Sequence, residues 1–228
     1  MKFIRTTFSA KNKYLIIIAV LLFAMNNGFG HTINYELENA PGSHVFWYYF
    51  KLGILHIVPY GLDHILFVVG LCLLNNKIKS MLWQATAFTV AHSITLVLSM
   101  KNIVVAPPAI IEPIIALSIL FIAIENLITS ELKPWRIILV FCFGLVHGLG
   151  FASALNEVGL PRDNFITSLF AFNVGVEAGQ VLIISAIFLL LIIPFSKKWW
   201  FKRRVVYPLS VLIGLIALYW TIERFIRI

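Results

Sequence analysis

Leu52-Gly53-Ile54-Leu55-His56-Ile57-Val58-Pro59-Tyr60-Gly61-Leu62-Asp63-His64-Ile65-Leu66-Phe67-Val68-Val69-Gly70-Leu71-Cys72-Leu73-Leu74 is apolar almost throughout, and Asp63 is its one formally charged side chain. As a helix, a run of this length covers the roughly 30 Å hydrocarbon thickness of a bilayer. A carboxylate in the middle of such a span costs roughly 3 kcal/mol, so it marks a functional site by default. The rest of the chain is of the same kind. Of 228 residues 60% are hydrophobic and 12% charged, with mean hydropathy +0.92, against about 45–50% and 25% in soluble domains. Too little polar surface remains to cover a water-soluble body, which excludes a soluble enzyme, a disordered chain and a conventional DNA-binding domain. Cys72 and Cys142 both lie in apolar runs and imply neither a disulfide framework nor a Zn-type cysteine pair.

Five more apolar stretches, 81–100, 109–129, 137–155, 165–193 and 205–222, join 52–74 as candidate spans. Lipid offers no partner to backbone N–H and C=O groups, so all six are expected to be helices. Basic residues in the short loops set the orientation. With the segment before the first span outside, the cytoplasmic loops hold Lys77, Lys79, Lys133, Arg136, Lys197, Lys198, Lys202, Arg203 and Arg204, nine against five outside (Lys51, Lys101, Arg162, Arg224 and Arg227). Both mature termini are therefore expected outside. The net charge of +8 is an orientation signal that says nothing of nucleic acid.

At the amino terminus Lys2, Arg5, Lys11 and Lys13 precede a short apolar run, 15–25, followed by Asn26-Asn27-Gly28-Phe29-Gly30. That run reaches only about 16 Å as a helix, too short to span, and the pattern fits a secretory signal peptide. The expected organisation is a signal at 1–30 with His31 as the mature start, a short extracytoplasmic segment at 31–51, and a six-helix transmembrane domain at 52–228. An uncleaved anchor is the alternative. The expected location is the cytoplasmic (inner) membrane of a bacterium.

The halves of the domain echo one another. Gly61-Leu62-Asp63-His64 resembles Gly144-Leu145-Val146-His147, and Ala87-Phe88-Thr89-Val90-Ala91 resembles Ala171-Phe172-Asn173-Val174-Gly175, at offsets of 83 and 84 residues. Three spans per copy is an odd number, so the second copy would enter the membrane upside down, giving a 3+3 inverted repeat of the kind secondary transporters use.

Ionisable groups inside the spans are the candidate ligands. His56, Asp63, His64, His92, His147 and Glu177 form the expected metal set, supported by Ser93, Glu125, Asn126, Asn173 and Gln180. Imidazole nitrogen with carboxylate oxygen suits a divalent transition metal such as Ni, Co, Zn or Fe(II), and the lack of thiolate ligands argues against Cu(I). On one continuous helix His56 and Asp63 would share a face. Asp63 is either a ligand or the acceptor that orients a neighbouring imidazole. Asn173, Glu177 and Gln180 make one polar stripe, and Glu125 with Asn126 reads either as a gate or as an interfacial anchor. Pro59, just ahead of Gly61, is placed to break the first span. Gly144-x-x-x-Gly148 and Gly175-x-x-x-Gly179 are patterns that let helices approach closely.

These residues resemble a known family. Gly53 to Leu74 with His56 and Gly61-x-Asp63-His64, then Phe88-Thr89-Val90-Ala91-His92-Ser93, Glu112-Pro113, Glu125-Asn126, Phe143 to Phe151, and Phe172-Asn173-Val174-Gly175-Val176-Glu177-x-Gly179-Gln180, look like successive blocks of the HupE/UreJ-type nickel/cobalt permeases. The similarity covers roughly residues 50–182. It implies a signal-bearing membrane permease whose first-helix His and Asp handle the metal. Six residues separate His56 from Asp63, one more than in the better-studied branch, and Ile57 replaces that branch's proline, so the likeness is to a second branch.

Three function classes follow. The first is a secondary permease for a divalent transition metal, nickel or cobalt by resemblance, with the ion as substrate and no permanently bound cofactor. No G-x-x-x-x-G-K-[ST] motif is present, so its driving force would be an ion gradient or the membrane potential. The second is a non-transporting accessory subunit of a metal-uptake or metalloenzyme assembly, and the third an intramembrane Zn hydrolase. Expected partners are the lipid bilayer and the metal ion, with no nucleic acid; a homo-oligomer or an outer protein that delivers metal is compatible with the sequence.

Overall fold

A computed structural model describes residues 34–74, 76–129 and 131–227. The basic amino-terminal segment, the proposed cleavage site and His31 lie outside the described residues. Among the described residues the regular structure is helical, without strands. A single turn, α1 (Tyr35–Glu38), precedes α2 (Gly42–Ile57), α3 (Leu62–Leu73), α4 (Ile78–Met100), α5 (Pro108–Ile128) and α6 (Arg136–Val158). Next comes α7 (Phe165–Ile187), continued by a π-helical turn Phe188–Ile192 and the short α8 (Ile193–Phe195). A second π turn, Lys202–Val206, leads into α9 (Tyr207–Ile226). Five of these segments are long and apolar enough to cross a membrane, and the bent pair α2–α3 makes a sixth. The chain is a multi-pass membrane protein.

The first span starts earlier than expected and breaks where Pro59 is placed to break it. It begins at Gly42, because Val45 and Tyr49 are fully buried and extend the packed face well ahead of residue 52. It then breaks, and α2 and α3 meet at 68°. Pro59 has no N–H to continue the helix, and the chain closes the end of α2 with Tyr60 N–H to the Leu55 carbonyl (3.3 Å) and Gly61 N–H to that of Ile57 (3.3 Å). A Cβ at Gly61 would stand 2.2 Å from the His56 carbonyl oxygen, so only glycine lets the chain turn back this tightly.

The spans pack in pairs: α2 on α7, α4 on α6, and α5 on α9. Glycines set the first two pairs. A Cβ on Gly144 would lie 2.5 Å from the Phe88 carbonyl oxygen, and one on Gly148 would lie 2.3 Å from that of His92. Gly175 and Gly53 sit back to back across α2 and α7, each against the other helix's backbone. Gly53 thus meets Phe172 and Gly175 much as Gly144 meets Phe88 and Ala91. A Gly53→Ala Cβ would fall 2.1 Å from the Phe172 carbonyl oxygen, so the helices must part, at about 1–3 kcal/mol. Thermal melting in detergent should show that loss. Gly214→Ala, with its nearest neighbour 3.5 Å away, should leave the melting temperature unchanged or raise it, alanine being the better helix former.

Two apolar clusters fill the interior. One, containing Phe67, Phe88, Ile122, Val140 and Ile213, lies toward the end that carries Lys197–Arg204 (the basic end); the other, containing Tyr49, Ile57, Leu96, Leu155 and Phe172, lies toward the opposite end. The histidines fall between them. Lys77, Lys133, Lys197, Lys198, Arg203 and Arg204 are exposed at the basic end. Arg136 departs from its expected place among the loop charges: it is only 1% exposed, because the first turn of α6 packs inward and turns its side chain toward Glu125 of α5.

Candidate metal centre

The break in the first span builds the centre. Along an unbroken helix His56 and His64 would be separated by about 12 Å of rise. With α3 turned back against α2, their rings lie 4.6 Å apart. His56 closes the last turn of α2, and Asp63 and His64 open α3. The expected sharing of one face by His56 and Asp63 is therefore lost, since the two stand on different helices. The α4–α6 glycine contacts bring in the remaining rings: His92 from α4, 6.0 Å from His56 and 6.1 Å from His64, and His147 from α6, 5.0 Å from His64.

One nitrogen from each of His56, His64 and His92 falls within 4.8 Å of the other two. His64 Nε2, His56 Nε2 and both His92 nitrogens are buried without a hydrogen-bond partner. Buried polar atoms are normally paired, and unpartnered imidazole nitrogens on three facing rings make a donor set that a cation could satisfy. A tetrahedral ion with bonds of about 2.05 Å needs its nitrogens roughly 3.4 Å apart, so the nitrogens need to close by up to about 1.4 Å.

Asp63 Oδ1 accepts the His64 backbone N–H (2.9 Å) and lies 3.1 Å from His64 Nδ1. That contact holds the proton on Nδ1 and leaves the Nε2 lone pair for a metal, the arrangement by which a carboxylate orients a ligating imidazole. Asp63 is thus placed to orient and to supply negative charge, and it does not belong to the converging triad. Aromatic rings enclose the group. Phe151 lies 3.7 Å from His56 and stacks on Phe172, while Phe88 and Phe67 stand below His64 and His147.

The other predicted residues fall into place around this core. His147 Nε2 is engaged by Ser118 Oγ at 3.1 Å, so it neighbours the triad with its Nδ1 unpartnered. Glu177 accepts from Thr86 Oγ1 (2.6 Å), Gln180 accepts from Thr89 Oγ1 (3.1 Å), and Asn173 lies beside His92. The Asn173–Glu177–Gln180 stripe therefore faces α4, with Asn173 at the triad's His92 and Glu177 and Gln180 on the threonines away from it. Ser93 Oγ returns to its own helix at the Thr89 carbonyl. Glu125 meets Arg136 at 3.3 Å, and Asn126 Nδ2 donates to the Gly70 carbonyl at 2.8 Å. Glu112 is exposed, its carbonyl accepting from Arg224.

Ser118 and Thr86 have no part in the sequence reading, Thr89 enters it only within a motif and Arg136 only as a loop charge. Ser118 is a lone hydroxyl in an apolar run, which carries no local signal. Thr86 and Thr89, three residues apart on one helix face, were a readable complement to the polar stripe.

Residues 31–224 match the family model described as HupE / UreJ protein. The chain belongs to the HupE/UreJ family. The match extends on both sides of the motif-bearing region, taking in the start of α2 and nearly all of α9. No curated protein and no solved structure matches the chain. HupE/UreJ proteins are transporters associated with nickel and cobalt uptake, which supports a metal-transport role for this chain over an enzymatic one.

Proposed function

We propose that this HupE/UreJ protein is a secondary permease that admits a divalent transition-metal ion, nickel or cobalt, and holds it transiently between His56, His64 and His92. The observation that carries this reading is the convergence of one nitrogen from each of His56, His64 and His92 within 4.8 Å at a helix break, in a group with four unpartnered buried ring nitrogens. Three neutral ligands and a nearby carboxylate hold an ion without trapping it, as a permeation site must.

In this reading the basic end faces the cytoplasm, by the charge rule, and the signal segment is removed so that both termini lie outside. The first span pairs with the fifth, the second with the fourth and the third with the sixth. Exchanging the two halves maps that set of pairs onto itself, which supports an inverted repeat with its substrate where the halves meet. Glu177 contributes charge along the path, or takes a proton.

Uptake of labelled Ni, Co, Zn, Fe and Mn by a metal-depleted host tests the proposal. Asp63→Ala should abolish saturable uptake. Asp63→Asn keeps the shape but loses the charge, and should weaken metal binding about 10–100-fold. Uptake unaffected by Asp63→Ala would sink the proposal.

A further inference from the structure

Beyond the histidines a second polar group is buried toward the basic end. Ser118, which bonds His147, and Glu125 lie two turns apart on one face of α5, so Glu125 stands about 10 Å nearer the basic end. Its carboxylate is 3% exposed and meets Arg136, 1% exposed, at 3.3 Å. None of the Arg136 N–H groups is aligned for a hydrogen bond, and both Glu125 oxygens lack one. Asn126 Oδ1 next to it and Gln84 Oε1 on α4 are also buried and unpartnered, their amide nitrogens being held by the carbonyls of Gly70 and Ser80. Phe67, Phe88 and Ile122, all buried, occupy the layer between the two groups.

A buried ion pair with none of its hydrogen bonds made is a poor staple. It suits a contact that must open. Arg136 is the first residue of α6, so its long side chain can leave Glu125 and reach the basic end's water. Resting on the transport reading, we propose that Glu125 is the exit station for the divalent cation. Arg136 closes it when empty, and the cation displaces Arg136 on arrival from the histidines. A carboxylate holds a nickel-class ion less firmly than imidazoles do, which favours release.

Cys72 reports on closure. It is fully buried, an electrostatic neighbour of Arg136, and two residues from the Gly70 carbonyl that Asn126 holds. Take the full-length protein with the exposed Cys142 changed to serine, in inside-out vesicles, and treat it with a membrane-impermeant maleimide. Cys72 should be protected, and Arg136→Gln should raise its labelling at least about tenfold by favouring the open form. In proteoliposomes Glu125→Gln should slow Ni²⁺ flux about tenfold while Ni²⁺ affinity in detergent stays within about twofold, separating release from binding.

Unchanged Cys72 protection in folded Arg136→Gln overturns the closing role. Flux unchanged, or affinity lost in step with flux, in Glu125→Gln overturns the exit station. The double variant Glu125→Met/Arg136→Met leaves no unpaired charge to unfold the protein. Parent-like flux with Cys72 still protected in that variant would make the pair merely structural and overturn the proposal. A parent that carries none of the metals overturns the transport reading and the exit station together, whereas parental flux that ignores Glu125 overturns the station alone.

Discussion

His64→Ala is expected to weaken Ni²⁺ or Co²⁺ binding by at least about 100-fold, the upper end of what loss of an outer-shell partner alone costs, and to remove uptake. His64 is the hub of the centre: its ring neighbours those of His56, His92 and His147, and its Nδ1 is the atom Asp63 holds. Removing it takes away one of three converging nitrogens and leaves the Asp63 carboxylate with nothing to orient. Calorimetry with Ni²⁺, or the visible spectrum of bound Co²⁺, on detergent-solubilised protein reads the loss directly. His147→Ala supplies the contrast. Its Nε2 is already engaged by Ser118 and it stands outside the triad, so affinity should fall by no more than about tenfold, one decade for each ~1.4 kcal/mol. Equal losses in the two variants would mean that the binding set is centred on His147 instead.

Arg136→Ala should be strongly destabilising. It leaves the Glu125 carboxylate buried with no counter-charge, and breaking a buried pair from one side costs about 3–5 kcal/mol, a large share of a typical stability of 5–15 kcal/mol. Thermal or denaturant unfolding of purified protein, and the monodisperse yield, should both fall. Glu125→Met/Arg136→Met removes both charges and should recover stability to within about 1 kcal/mol of the parent, since replacing a buried pair by apolar residues is often neutral or better. A single variant as stable as the parent would show that Glu125 is neutral or water-exposed in the membrane.

The contrast between Arg136 and Lys133 shows where sequence reasoning runs out. Both sit just before the fourth span and count equally in a tally of loop charge, yet Lys133 is exposed and Arg136 is buried. The difference is which way the first turn of α6 faces, and that depends on Glu125 in another helix. Ser118 is a similar case: nothing around it in the chain distinguishes it until α6 places His147 against it.

The chain by itself determined that this is a helical membrane protein, because apolar run length and the scarcity of charge are local properties that lipid reads directly. It also determined which residues are too costly to bury without purpose, and that Pro59 is placed to break the first span. Only the tertiary structure decided which of those residues meet. His56 and His64 become ring neighbours because the chain folds back at Gly61, and His92 joins them because Gly144 and Gly148 let α4 and α6 touch backbone to backbone. Asp63 becomes the orienting acceptor of His64 and leaves the face of His56. Convergence depends on bends and helix crossings between segments far apart in the chain, and no local pattern encodes the angle at which two helices meet.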